Sequence, residues 1–241
     1  MLGGLLIGLA GMIKVLPLVF WGVLALCRRA RGAVLAAAIT ATTSLVLLTA
    51  FAGWHAGVHS LVEWRDGLRG SEGPWGLIAT GNSLRENNES LPVVLARTFG
   101  DLDPSLTRNA VSLARLPLSS IWAVWLLMLA VMAAVWLLCG WRARGAPPER
   151  AWLGMFALTA ILMLALTPVA WPHYFAWLLP ATLFLSGRPR LLLGVAVWGQ
   201  LGMMSATLRG LGCHMVLALV LFMLVAHDLL RATAARPRAQ G

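Results

Sequence analysis

The sequence predicts an all-α, polytopic membrane helix bundle of about seven spans with one long outer loop. Two observations point there. Apolar residues make up 59% of the 241 and charged residues only 12%, against about 25% charged in an average soluble domain. The apolar residues also come in long runs of Ala, Leu, Val and Gly without period-2 alternation, as in packed membrane helices. One soluble core cannot hide that much apolar surface, and disordered chains are polar and charge-rich.

A span needs about 20 apolar residues to cross about 30 Å of hydrocarbon. Candidate runs are 4–26, 33–53, 118–141, 152–168, 172–186, 191–208 and 211–227. The fifth is short and contains Pro180, so a kinked or tilted helix that does not cross fully is also open there. Arg28, Arg29 and Arg31 separate spans one and two, Arg142, Arg144 and Arg150 separate three and four, and Arg188 and Arg190 separate five and six. Arg231, Arg236 and Arg238 lie in the tail, 228–241. The positive-inside rule puts these four segments in the cytoplasm. The other side receives residues 54–117, the Trp171–Tyr174 turn and Arg209. The 54–117 loop has six Arg but is 64 residues long, and long loops translocate largely regardless of charge. It holds seven of the nine acids. The whole chain, 1–241, reads as a single membrane domain of the bacterial plasma-membrane type.

Met1 leads almost at once into apolar sequence with no basic n-region and no A-x-A cleavage site, unlike a signal peptide. The expectation is that further spans precede it in a fuller protein. Alternatively, residues 1–13 form a half-buried helix and the span starts near Lys14. Net charge is +10, and 18 of the 19 basic residues are Arg. Because they sit at the ends of apolar runs, they read as topology anchors and not as a nucleic-acid surface. Cys27, Cys139 and Cys213 lie in or beside apolar runs and read as small packing or lipid-facing residues; their spacing suggests neither a metal site nor a disulfide framework.

Three clusters put polar groups where they are expensive. Lys14, the only Lys, is a functional candidate because an intramembrane charge costs about 2.5–3.5 kcal/mol on insertion scales. Snorkelling to the interface is the bland alternative. Pro17 frees carbonyls next to it, and a cation beside a broken helix suits a lipid phosphate. The second cluster is Thr167-Pro168-Val169-Ala170-Trp171-Pro172-His173-Tyr174. Pro172 reads as a first helical residue, which puts His173 and Tyr174 in a first turn whose N–H groups favour an anion. Trp171, Tyr174 and Trp177 alone fit an interfacial aromatic belt; the His lying between two prolines favours a site. The third cluster is the turn-like Asn87-Asn88-Glu89-Ser90 followed by Leu91-Pro92-Val93-Val94-Leu95-Ala96-Arg97. Ser90 can cap a short amphipathic helix on the outer membrane surface. Asn88-Glu89-Ser90 also matches a glycosylation sequon, a triplet common by chance.

The ordered set of clusters resembles glycosyltransferase family 87, polytopic enzymes that use a polyprenyl-phosphate sugar donor. Ile13-Lys14-Val15-Leu16-Pro17 through Arg28-Arg29 resembles that family's lysine-proline helix. Asn88-Glu89-Ser90-Leu91 with Arg97 resembles its outer-loop Asn-Gln-Ser-Leu element, with Glu in place of Gln. Thr167–Tyr174 followed by Leu179-Pro180 resembles its Ser/Thr-Pro-x-x-Trp-x-His-(His/Tyr) turn. The resemblance covers residues 12–180.

That resemblance implies a GT-C-like C-terminal portion. The catalytic acid of such enzymes lies in a first outer loop that nothing here matches, so Glu63, Asp66 and Glu86 do not inherit its role, and the catalytic residue is unassigned. It implies transfer of a hexose, mannose foremost, from a polyprenyl-phosphate donor to a lipid or glycan acceptor outside the membrane. Lys14, His173 and Arg97 are then expected at the donor phosphate, Asn88 and Ser90 at the sugar or in ordering the loop, and Trp171 and Tyr174 in stacking. Cations at the phosphate can replace a metal, and neither a P-loop nor a dinucleotide fingerprint occurs, so no metal or cofactor is expected. The partners expected are the lipid-linked sugar, the acceptor and membrane lipids, with no nucleic acid. The rival readings are a small-solute transporter, which would want a midplane charge pathway, and a non-catalytic membrane subunit.

Overall fold

The computed structural model describes residues 30–53, 87–102, 113–143, 148–167 and 170–234, with isolated positions between 55 and 84. Lys14, Glu63, Asp66, Glu86 and the first expected span lie outside them. The chain divides into two compact units, 1–76 and 77–241. The described residues are helical apart from turns and one isolated bridge, Gly100 with Leu116.

In the first unit, α1 (Ala30–Ala52) runs for 23 residues over the second expected span. It carries several Thr, which prefer other conformations. Thr40 is satisfied inside the helix, its hydroxyl donating to the Ala36 carbonyl at 2.9 Å.

The second unit is built on α3 (Leu118–Ala143), α4 (Pro148–Leu166) and α8 (Cys213–Ala234). Among the described residues these three are long and apolar enough to cross a membrane. α4 is the central one: 67% of its most apolar stretch is buried, against 17% for α3. It packs against α3 and α8. α3 buries Ile121, Trp125, Leu129, Met132 and Cys139, a spacing of three, four and seven that keeps one helical face inward. Its other face exposes Val124, Leu127, Val131 and Leu138, as a lipid-facing surface requires. Two indoles fasten α3 to α4: Trp125 Nε1 donates to the Ala165 carbonyl at 3.0 Å and Trp136 Nε1 to the Thr159 hydroxyl at 2.8 Å. Each removes the cost of a buried donor with no acceptor.

Two expected spans take a different form. Residues 172–186 divide into a 3-10 turn, Pro172–Leu178, and the six-residue α5 (Leu179–Phe184). Pro180 cannot donate to the preceding turn, and the sequence breaks there. At about 1.5–2.0 Å per residue, the two parts together fall short of the hydrocarbon thickness. Residues 191–208 become α6 (Pro189–Met204), 16 residues long, ended by Ser205, which caps a short α7 (Ala206–Gly210) through its hydroxyl. At about 24 Å, α6 is also shorter than a full span. Seven complete spans are therefore not what the described residues form.

The remaining element is α2 (Leu91–Phe99). Pro92 sits in its first turn, where the missing N–H is harmless. Ser90 occupies the N-cap position, but its side chain makes no cap bond. The expected surface helix is a buried one: Leu91–Thr98 are all buried, and α2 packs against α3 and α4. Its end is clipped to the start of α3, with Leu116 N donating to Phe99 O at 2.7 Å and Asp101 N to Leu116 O at 2.9 Å.

Candidate functional site

Asn88 joins two of the polar clusters. It is fully buried, and its Oδ1 accepts from Ala170 N at 2.9 Å and from Ser90 N at 3.2 Å. The next residue completes the joint, Glu89 N donating to Ala170 O at 2.8 Å. A short polar side chain between two backbone segments is well suited here, because each segment is irregular and has N–H groups with no helical acceptor. The loop before α2 is thereby held against the turn that carries Trp171, His173 and Tyr174.

That turn points its chemistry outward. Tyr174 N donates to Trp171 O at 2.8 Å, closing the first 3-10 turn behind Pro172. His173 is exposed, and Trp171 and Tyr174 are half-buried. The His173 and Tyr174 rings meet edge-on with centroids 4.6 Å apart. Phe175, the next residue, is buried and packs on His214, ring centroids 5.2 Å apart.

His214 belongs to a cluster that sequence reasoning missed. Its Nδ1 lies 2.6 Å from Glu89 Oε1, and its backbone N donates to Glu89 Oε2 at 3.0 Å. Its Nε2 lies 3.1 Å from the Gly199 carbonyl. Cys213 Sγ is 3.9 Å from Glu89 Oε2 and 3.6 Å from His214 Nδ1. Glu89 is fully buried and His214 nearly so. Such an acid persists in an apolar interior only with partners of this kind. Glu89 and His214 lie 125 positions apart, and nothing in the local pattern of either residue announces the other. The usable signal is a His in the first turn of a long apolar run, directly after a Cys.

Glu89, Cys213 and His214 offer three donor atoms within 4.8 Å of one another, a set that could hold a metal ion. Two ligands on a tetrahedral zinc with bonds of about 2.0–2.1 Å are about 3.3 Å apart. The 2.6 Å between Nδ1 and Oε1 is a hydrogen-bond distance, so the geometry fits the direct contact better than a coordinated metal. Space is tight as well: a Cβ at Gly202 would overlap the Cys213 sulfur and press on the His214 ring.

Arg97 is almost fully buried, and its Nη2 donates to the Arg209 carbonyl at 3.4 Å. Arg209 in turn donates from Nη1 to the carbonyls of Gly202 and Met203. These are last-turn carbonyls of α6, where a cation is favoured. Gly212 closes the corner at φ 71°, next to Val94 of α2, whose side chain a Cβ would overlap. The structure therefore brings Asn88, Ser90, Arg97, Trp171, His173 and Tyr174 onto one linked set of segments and adds Glu89, His214 and Arg209 to it. Lys14 lies outside the described residues.

No curated protein and no solved structure matches the chain. A family model does, over residues 1–168. The match takes in the Asn88–Arg97 segment, α3 and α4, and stops just before the aromatic turn that Asn88 holds. Since it spans more than half of the sequence, the chain belongs to glycosyltransferase family 87, a family of membrane glycosyltransferases.

Proposed function

We propose that the chain serves the transfer of a hexose, mannose foremost, from a polyprenyl-phosphate donor to an acceptor hydroxyl, at the membrane face that carries the Asn88 joint and the His173 turn. The observation that carries this reading is the joint itself. The two segments that resemble the family's donor elements, 82 positions apart, are tied by Ala170 N donating to Asn88 Oδ1 at 2.9 Å. By the positive-inside rule, that face is the outer one, because Arg142, Arg188 and Arg231 flank the opposite ends of the helices.

The chemistry needs a base for the acceptor hydroxyl, attack on C1 with inversion, and stabilisation of the departing phosphate. His173, exposed in a first turn, and Lys14 suit the phosphate. Trp171 and Tyr174 offer ring faces to the sugar or the prenyl chain. Arg97 is buried, with Nη2 on the Arg209 carbonyl, so it adds positive field to this unit without reaching out to the donor. Glu89 is not the base: both its oxygens are occupied by His214, and no surface of it is open to an acceptor.

The test is binding of polyprenyl-phosphate-mannose to the chain in nanodiscs. A lost charge-assisted contact costs about 1.5–3 kcal/mol, roughly ten- to a hundred-fold, so His173→Ala and Lys14→Met should each weaken binding by that factor. Donor affinity unchanged in both variants would sink the assignment. Stronger binding of a nucleotide-linked mannose than of the lipid-linked one would sink the donor class.

A further inference from the structure

About 22 Å along α8 from Cys213, at 1.5 Å per residue, the same unit holds a second feature unrelated to sugar transfer. A cleft of ≈ 440 Å³ lies between α4, α5, α8 and the start of α6, lined by Glu149, Arg150, Leu153, Phe184, Arg188 and Asp228 among others. It sits where the apolar stretches of α4 and α8 end, Glu149–Leu166 and Cys213–Ala232. That is the depth at which phospholipid head groups begin.

Its charges are arranged in two ways. Arg188 Nη2 donates to Asp228 Oδ1 at 2.7 Å, and Asp228 also lies 3.4 Å from His227 Nδ1. This pair is internally balanced, yet the Arg188 side chain stays 46% exposed, and a guanidinium has five N–H donors to share. Arg150 and Glu149 are exposed neighbours in the first turn of α4. The Arg150 guanidinium lies 5.5 Å over the Phe184 ring, which steadies it beside an apolar wall. Two guanidiniums and two carboxylates sum to no net charge. A purely anionic ligand gains little from such a cleft, whereas a ligand with both signs gains at both ends.

We infer that this cleft binds a zwitterionic phospholipid head group with a primary ammonium. Arg150 and Arg188 hold the phosphate, forked donors being suited to its oxygens. Glu149 accepts from the ammonium, and Leu153 and Phe184 meet the glycerol and the first methylenes. The same head-group chemistry exists in free phosphoethanolamine, and the apolar wall is what favours the lipid.

The experiment is native mass spectrometry of the full chain in detergent, titrated with phosphatidylethanolamine, phosphatidylcholine, phosphatidylglycerol and soluble phosphoethanolamine. Phosphatidylethanolamine should be retained at least about ten-fold more tightly than the other three. Phosphatidylcholine lacks ammonium N–H donors, and phosphatidylglycerol lacks the cation. Glu149→Gln should bring phosphatidylethanolamine down to the phosphatidylcholine level, Arg150→Gln should weaken both, and Arg142→Gln, outside the cleft, should change neither. Leu153→Trp, which fills the cleft without altering charge, should also release the lipid. Equal retention of the three lipids, a preference for phosphatidylglycerol, binding of phosphoethanolamine as tight as the lipid, or indifference to Glu149→Gln and Leu153→Trp would each overturn the inference.

Discussion

His214 and His173 sit close in the fold and in opposite circumstances. His214 is buried, its ring nitrogens face Glu89 and the Gly199 carbonyl, and Phe175 covers its ring. His173 is exposed and meets only the edge of Tyr174 among the ring contacts described. Phe175 lies two positions after His173 and packs on His214, so one short turn serves both. The difference teaches that burial with filled valences assigns a polar group to architecture, whereas exposure on a rigidly held turn frees it for a ligand. Glu89, the most conspicuous acid described on this side, belongs to the first kind.

The largest effect that would sharpen this contrast comes from Glu89→Ala. It strands His214 among apolar groups, and breaking a buried pair from one side costs about 3–5 kcal/mol. Denaturant or thermal unfolding in detergent should show a loss of that order. Replacing both partners, as Glu89→Met with His214→Phe, should recover much of it, since an apolar pair of similar volume has nothing left to satisfy. A single variant as stable as the parent would mean that the pair holds nothing together.

Asn88→Ala comes next. It removes the acceptor for Ala170 N and Ser90 N, and a buried donor left without a partner costs about 1–3 kcal/mol. The loss should be local as well as global. Hydrogen exchange should quicken in the 88–90 and 170–174 segments before it quickens in α4. Uniform quickening across α4 and α8 would show that the joint is not a separate element.

The smallest stability change is expected at His173. His173→Ala should shift unfolding by no more than about 0.5 kcal/mol, as for other exposed positions, while the donor affinity falls as described above. A stability loss as large as that of Asn88→Ala would erase the distinction between the two histidines.

What was legible in the sequence followed what is local. The boundaries of α3 and α4 and the start of α8 agree with the apolar runs to within four residues, because length and hydropathy decide them, whereas α8 runs on to Ala234, seven residues past the expected end at 227. The break at Pro180 was legible for the same reason. The burial of α2 was not: an amphipathic pattern ending in Arg97 reads as a surface helix, yet Arg97 is 1% exposed. Its partner is the Arg209 carbonyl, 112 positions away, which no pattern along the chain supplies. Asn88 was legible as a residue of interest, and its role as a clasp on Ala170 was not. The Glu89–His214 contact escaped because a buried polar pair is specified only in three dimensions. Residues Cys213 and His214 stand at the head of an apolar run that otherwise reads as featureless.

The Glu89–His214 contact has an electrical consequence for membrane insertion. Nε2 faces a carbonyl, so it carries a hydrogen. At 2.6 Å, Nδ1 and Oε1 must have one more proton between them, since two lone pairs at that separation would repel. Whether that proton rests on nitrogen or on oxygen, imidazole and carboxyl together sum to zero. Once closed, the pair behaves toward the bilayer as a dipole, not as an ion, and a dipole is far cheaper to hold at the edge of hydrocarbon than either charge alone. Ordering therefore matters: the Asn88 loop must arrive on α8 with its acid ready to share, or the helix must settle with a lone imidazole at its head.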